Sequence, residues 1–173
     1  SFKTSKADAA ANKTAVLDSI KEVCNTTITP LVASSGLSIQ YSILMGLVDY
    51  AKEYHKGKSI KIVVPPNCYG GTNDQVRRAA ACIETIEIMD LPVDGDHDMV
   101  QSLDLILNKI AAEDAVPYVI AEIPTNPRVE VPDLVKLRNV LSAIRKTESG
   151  EVAIAPVFLL DQTFCPNLHF LGD

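Results

Sequence analysis

Apolar positions along the chain recur with two different periods, and the way these periods alternate sets the expected architecture. Val16, Leu17, Ile20 and Val23 are spaced for a helix over residues 7–22. The β-branched run 27–33, interrupted by Pro30, predicts a strand with a bend or an edge position. Leu37, Tyr41, Leu44, Val48 and Ala51 fall three and four apart on one face of a helix that ends near His55, before Gly57. Residues 60–64 read as a buried strand cut off by Pro65 and Pro66, followed by a loop over 67–72. A helix through Val76 to Cys82 and a strand over 85–89 come next. Val100, Leu103, Leu107 and Ile110 mark a helix over 98–112, and a strand over 117–122 follows it. Leu134, Leu137, Leu141 and Ile144 mark one more helix, and 153–160 is a nearly continuous apolar strand closed by Asp161.

Strands that alternate with helices of ten or more residues build βαβ units. The expected fold class is therefore α/β, a three-layer α/β/α arrangement with a mainly parallel sheet. At 173 residues and 18.7 kDa, with 47% hydrophobic content and no internal repeat, the chain is sized for one domain with an ordinary core. In such a sheet, ligands sit beyond the carboxyl ends of the strands. Four connections therefore carry the candidate chemistry: 34–36, 67–72, 124–127 and 161–166.

Composition narrows the choice of ligand. A net charge of -6 and a pI near 5.0 disfavour phosphate-backbone binding, which needs gathered Lys and Arg. No apolar run approaches the roughly 20 residues of a membrane-spanning helix. The opening residues carry no signal-peptide apolar core. Cys24, Cys68, Cys82 and Cys165 are scattered and form no C-x-x-C pair, so structural zinc and a disulfide framework are weakly supported, and a reducing cytoplasm is expected. Asn25-Thr26-Thr27 matches a glycosylation sequon only formally.

In the first loop, Ser34-Ser35-Gly36 precedes a helix. Its backbone N–H groups could hold a phosphate, or its serines could simply cap the helix. In Cys68-Tyr69-Gly70-Gly71-Thr72, an aromatic residue before two glycines suits a ring stacked on a planar ligand, and equally an ordinary turn with a surface tyrosine. The two prolines of Glu122-Ile123-Pro124-Thr125-Asn126-Pro127 stiffen that loop and fix where Asn126 points. Asp161 ends an apolar strand, where its ionisation needs a cation or a donor. A protonated pyridine nitrogen would serve, with Thr163 orienting the carboxylate, and closing a turn is the alternative.

Taken together these loops resemble the pyridoxal-phosphate enzymes of cysteine and methionine metabolism, the family of cystathionine gamma-synthase, cystathionine beta-lyase and related sulfhydrylases. SSGLSIQ looks like the family's Ser-Gly-Met phosphate loop and CYGGT like its Tyr-Gly-Gly-Thr. EIPTNP resembles its Glu-x-Pro-Ser/Thr-Asn-Pro, and LLDQTFCPN its Asp-Asn-Thr-Phe loop. The motifs stand in the family's order from about Thr27 to Pro166. The resemblance implies part of the large domain of a fold-type I transferase, with 1–26 as an N-terminal helical segment and 27–166 as the family-like core.

It further implies pyridoxal 5'-phosphate as cofactor. Ser35, Gly36 and Leu37 would lie at its phosphate, Tyr69 on the pyridine ring, Asn126 near the ring hydroxyl, Asp161 on the pyridinium nitrogen and Thr163 behind Asp161. Leu37 stands where the family has Met, and Gln162 where it has Asn. The family's Schiff-base lysine, in a Ser-x-Thr-Lys segment, is expected downstream of Asp173, so no catalytic residue is assigned in this chain. It is expected to be silent alone, while its parent is a lyase or transferase of the transsulfuration type. The parent would take a sulfur amino acid for β- or γ-elimination or replacement, and would be a homo-oligomer with no nucleic-acid or membrane partner.

Two rival readings are a non-catalytic α/β interaction module and an unrelated phosphate-binding α/β protein. Asp94-Gly95-Asp96-His97-Asp98 imitates the opening of a calcium loop, but Met99 and Leu105 stand where Gly and Glu are needed, so capping of the next helix is preferred. The chain has no G-x-S-x-G elbow, P-loop or G-x-G-x-x-G fingerprint.

Overall fold

A computed structural model of the chain describes residues 6–92, 98–124 and 131–166. The elements run α1 (Lys6–Val23), α2 (Gly36–Tyr54), β1 (Ile60–Val64), α3 (Gly70–Cys82), β2 (Ile86–Asp90), α4 (Met99–Ala112), β3 (Val116–Glu122), α5 (Leu134–Ser142) and β4 (Val157–Asp161). The four strands form one sheet in the order β2-β1-β3-β4, and every pairing is parallel.

Side-chain alternation divides the strands between two cores. Ile60, Ile62, Val64 and Tyr118 pack with Leu44 and Val48 of α2 and Val76 and Ala79 of α3. Val63 and Val119 face the other way, against Val100, Leu103, Leu107 and Ile110 of α4 and Leu137 of α5. The result is the three-layer α/β/α architecture that the alternating pattern predicts. Tyr118 ties the first layer to the sheet, its buried O–H donating to the Leu47 carbonyl at 2.6 Å, and burial pushes that phenol up to about 12.

Helix starts follow local capping chemistry. The Asp98 carboxylate accepts the Val100 N–H at 3.2 Å at the head of α4, and Asp133 accepts the Lys136 N–H at 3.0 Å at the head of α5. At the tail of α5, Arg145 Nη1 donates to the carbonyls of Val140 (2.9 Å) and Ala143 (3.3 Å), closing off carbonyls that would otherwise continue the helix. Ile144, expected on the buried stripe, therefore falls beyond the helix and is 83% exposed.

Three further expectations change. Residues 27–33 form no strand: they pair with no neighbour, and Ile28 and Leu31 are 76% and 81% exposed. β-Branched residues favour an extended backbone, but a strand exists only where a ladder is there to join, and these seven residues lie outside the sheet. The 67–72 loop is shorter than expected, because Gly70, Gly71 and Thr72 already form the first turn of α3. The last strand begins at Val157 rather than 153, since Ala153 is instead bonded to Arg145 across the turn that carries Gly150. Asn126 and most of the Asp94–Asp98 stretch, which carry the ring-hydroxyl and calcium-loop expectations, lie outside the described residues.

Among the described residues no helix is long and apolar enough to cross a membrane, and no cluster of three His, Cys, Asp or Glu side chains could hold a metal.

Candidate active site

β1 is followed by α3 on one face of the sheet and its neighbour β3 by α5 on the other, so the chain diverges between adjacent strands at their carboxyl ends. Such a switch point opens a crevice there. α2 delivers its amino end to the same place: Gln40 reaches Asp161 at the end of β4, while Leu47, two turns later, meets Tyr118 in the middle of β3.

Asp161 stands in register with Glu122 on the neighbouring strand, and both face α2 and α3. Thr163 donates to Asp161 Oδ1 twice, from its hydroxyl at 2.6 Å and its N–H at 3.0 Å. Gln40 Nε2 donates to Oδ2 at 3.1 Å, and Gln40 Oε1 in turn accepts the buried Thr72 hydroxyl at 2.9 Å. Beside this chain lies a small, mostly apolar cavity of about 90 Å³, walled by Ile43, Leu44, Val76, Ile120 and Leu159.

Glu122, only 5% exposed, accepts the Tyr69 N–H at 3.2 Å and so fixes the turn from β1 into α3. Burial raises its carboxyl above the usual range; the Tyr69 N–H pulls the other way and the Asp161 charge adds to the rise. Burial, with the charge of Glu122, also pushes the Cys68 thiol up to about 11, which leaves it protonated at neutral pH and unsuited to nucleophilic work.

Tyr69 is half-exposed, and its ring lies over Gly71. A Cβ at Gly71 would stand 2.6 Å from Tyr69 Cε1 and 2.9 Å from Leu37 Cδ2, so the absent side chain is what lets both side chains close over this turn. Ser35 caps α2, its hydroxyl accepting the Ser38 N–H at 3.2 Å while the Ser38 hydroxyl accepts the Ser35 N–H at 3.0 Å. The N–H groups of Gly36 and Leu37 belong to the first helical turn, which has no intrahelical acceptors for them. No atom stands within 4 Å of a Cβ built on Gly36, so the approach to this turn is open.

Ser35, Gly36, Leu37, Tyr69, Asp161 and Thr163 thus converge on one end of one sheet face. Gln40, Thr72 and Glu122 complete the network without having been assigned roles from sequence. Gln40 had left a signal, being a polar residue one turn ahead of Leu44 on the apolar stripe of α2.

The sequence matches no protein-family profile and no curated protein. The fold does have likenesses among solved structures. One is the cystine C-S lyase C-DES in complex with its reaction product cysteine persulfide. The match has a TM-score of 0.64 at 14% identity, covering 91% of this chain and 38% of that one. The likeness is one of fold, and it agrees with the expected α/β class with a parallel sheet. The chain spans well under half the length of the lyase it matches.

Proposed function

We propose that this chain is the cofactor-binding part of a pyridoxal-phosphate enzyme acting on sulfur amino acids. The observation that carries the reading is that the α2 amino terminus, Tyr69 and the Asp161 carboxylate lie at the same end of one sheet face, joined through Gln40, Gly71 and Glu122. The residues suit an anionic, flat, nitrogen-protonated group. Free N–H groups and the positive end of the α2 dipole favour a phosphate. Two neighbouring carboxylates, with no basic side chain bonded to either among the described residues, favour a cation.

On this reading Gly36 and Leu37 donate their N–H groups to the phosphate, and Ser35 holds that turn in shape. Tyr69 would cover one face of the ring, and Asp161 would accept its N–H and keep that proton in place. When bound, pyridoxal phosphate supplies an electron sink for charge developing at an amino acid's α-carbon. Thr163 holds Asp161 Oδ1 by two hydrogen bonds, which would keep the carboxylate from rotating away from such a group. Lys58 and Lys61 are held by Asp114 and by Glu87 and Glu113 near the amino end of the sheet, away from the crevice. On this reading neither of these two lysines serves as a covalent anchor at the crevice. The lyase likeness favours elimination at a carbon–sulfur bond over replacement.

The test is titration of the chain with pyridoxal phosphate, following ligand absorbance and tyrosine quenching. Wild-type binding with loss in both Asp161→Ala and Gly36→Asp is expected. Unchanged affinity in both variants refutes the pocket.

A second reading, assembly with further copies, draws on the outer segment. α1 has no buried residue, and Ile28, Leu31 and Val32 are exposed beside it. Sedimentation tests it: a monomer at all concentrations, unchanged by Leu31→Asp, rules it out.

A further inference from the structure

We infer that Gln40, backed by Thr72, is a positioning residue for Asp161; the inference rests on the function proposed above and deepens it. The two oxygens of Asp161 are served from different parts of the fold, Oδ1 by Thr163 on its own strand end and Oδ2 by Gln40 on α2. A side-chain amide is polar in one direction: its nitrogen only donates and its oxygen only accepts, whereas a hydroxyl does either. An ionised carboxylate only accepts. With Asp161 at one end and Thr72 at the other, one arrangement satisfies every group, namely Thr72 donating to Gln40 and Gln40 donating to Asp161. The reverse amide orientation would set two acceptors against each other beside an apolar wall of Ile43, Ile120 and Leu159.

The consequence is geometric. Gln40 lies one helical turn after Gly36, roughly 6 Å along the axis. The turn that grips an anion and the carboxylate that meets a ring nitrogen are therefore fastened to each other through one rigid helix. Gln40 thereby fixes the carboxylate relative to that turn, and together with Thr163 it holds the plane of the Asp161 carboxylate from both oxygens. Packing does not require this residue: Leu44, Val48 and Ala51 continue the same stripe as apolar groups.

The experiment uses isotope-labelled chain with Gln40→Met, Gln40→Glu and Thr72→Val, each checked by thermal melting. In the free protein, Gln40→Met is expected to move the Thr163 N–H resonance, whose acceptor belongs to Asp161. Thr72→Val is expected to move the Gln40 side-chain amide resonances. A Thr163 resonance left in place by Gln40→Met overturns the inference, since methionine keeps the volume and removes only the hydrogen bonds.

With pyridoxamine phosphate as probe, Gln40→Met is expected to weaken binding about tenfold. Gln40→Glu, the same size but without the donor, should do no better. Thr72→Val is expected to cost less, and the double variant no more than Gln40→Met alone, because Thr72 acts through Gln40. Inorganic phosphate, which needs only the α2 turn, should bind the uncharged variants Gln40→Met and Thr72→Val as it binds the wild type. Equal loss of both ligands, or additive losses in the double variant, overturns the inference in favour of general packing. If the wild-type chain binds inorganic phosphate but not pyridoxamine phosphate, the proposed function fails, while the resonance experiment still decides the role of Gln40.

Discussion

Replacing Gly71 by alanine separates the position of the Tyr69 ring from the stability of the fold. The new Cβ would fall 2.6 Å from Tyr69 Cε1 and 2.9 Å from Leu37 Cδ2, and both distances are too short to persist. Both neighbours are the ends of side chains, and Tyr69 is 51% exposed, so the ring swings outward and the backbone stays. Displaced contacts cost about 0.5–1.5 kcal/mol. Removing a glycine from a helix and from the unfolded chain returns about 0.4–1 kcal/mol. The two nearly cancel, so the melting temperature is expected to change by no more than about 2–4 °C.

Binding has no such compensation. A ring moved off the crevice loses its stacking on the ligand, again about 0.5–1.5 kcal/mol, which weakens affinity about 2- to 12-fold. The chain contains five tyrosines and no tryptophan, so tyrosine emission is its intrinsic signal, and calorimetric melting supplies the stability. Gly71→Ala is expected to melt like the wild type and bind pyridoxamine phosphate more weakly. An unchanged affinity contradicts the placement of the ring beside the ligand, and a fall in melting temperature beyond about 10 °C contradicts the claim that only side chains move.

Other outcomes follow from the same geometry. Glu122 has a raised carboxyl when folded, so the folded state keeps its proton longer, and stability is lost as pH rises from the ordinary carboxylate value of 4.5 through the folded one. Glu122→Gln is therefore expected to gain on the wild type between pH 4 and 7 in parallel melts, and a gap that narrows instead refutes the assignment. Burial alone would lower Lys61, but its bonds to Glu87 and Glu113 outweigh that and hold the ammonium above its ordinary value. Lys61→Met is expected to lose about 1 kcal/mol at pH 7 in denaturant unfolding, with the deficit fading above pH 10.5; a deficit that persists there counts against the ion-pair explanation. Leu137→Ala is expected to cost about 2–5 kcal/mol and Ile144→Ala less than about 0.5 kcal/mol; similar losses at both would mean that α5 extends past Ser142.

What could be read from sequence follows from which forces act locally. The stripes Leu44-Val48-Ala51 and Val100-Leu103-Leu107 announce their helices because the same apolar residues that set the period also bury it. The strands over 60–64 and 117–122 were legible for the same reason. Residues 27–33 were not, since β-branching states a backbone preference and says nothing about whether a partner strand lies alongside. Ile144 misled because helix termination depends on Arg145, whose reach back to the Val140 and Ala143 carbonyls is invisible in the period.

At the site, glycine, aromatic and aspartate positions stood out because their chemistry is unusual at strand ends. Gln40 marked itself only as a polar break in the apolar stripe of α2, because what it and Thr72 do lies in meeting each other and Asp161 across 32 and 121 residues of chain.

On the proposed function, one ligand spans the α2 amino terminus and Asp161. Resonance mapping with pyridoxamine phosphate tests this most directly, since that ligand keeps the phosphate and ring nitrogen but has no aldehyde to react with surface lysines. The account predicts saturable shifts gathered at the N–H groups of Gly36, Leu37, Tyr69 and Thr163. Shifts confined to one end of that set, or gathered around Lys61 at the amino end of the sheet, would contradict it.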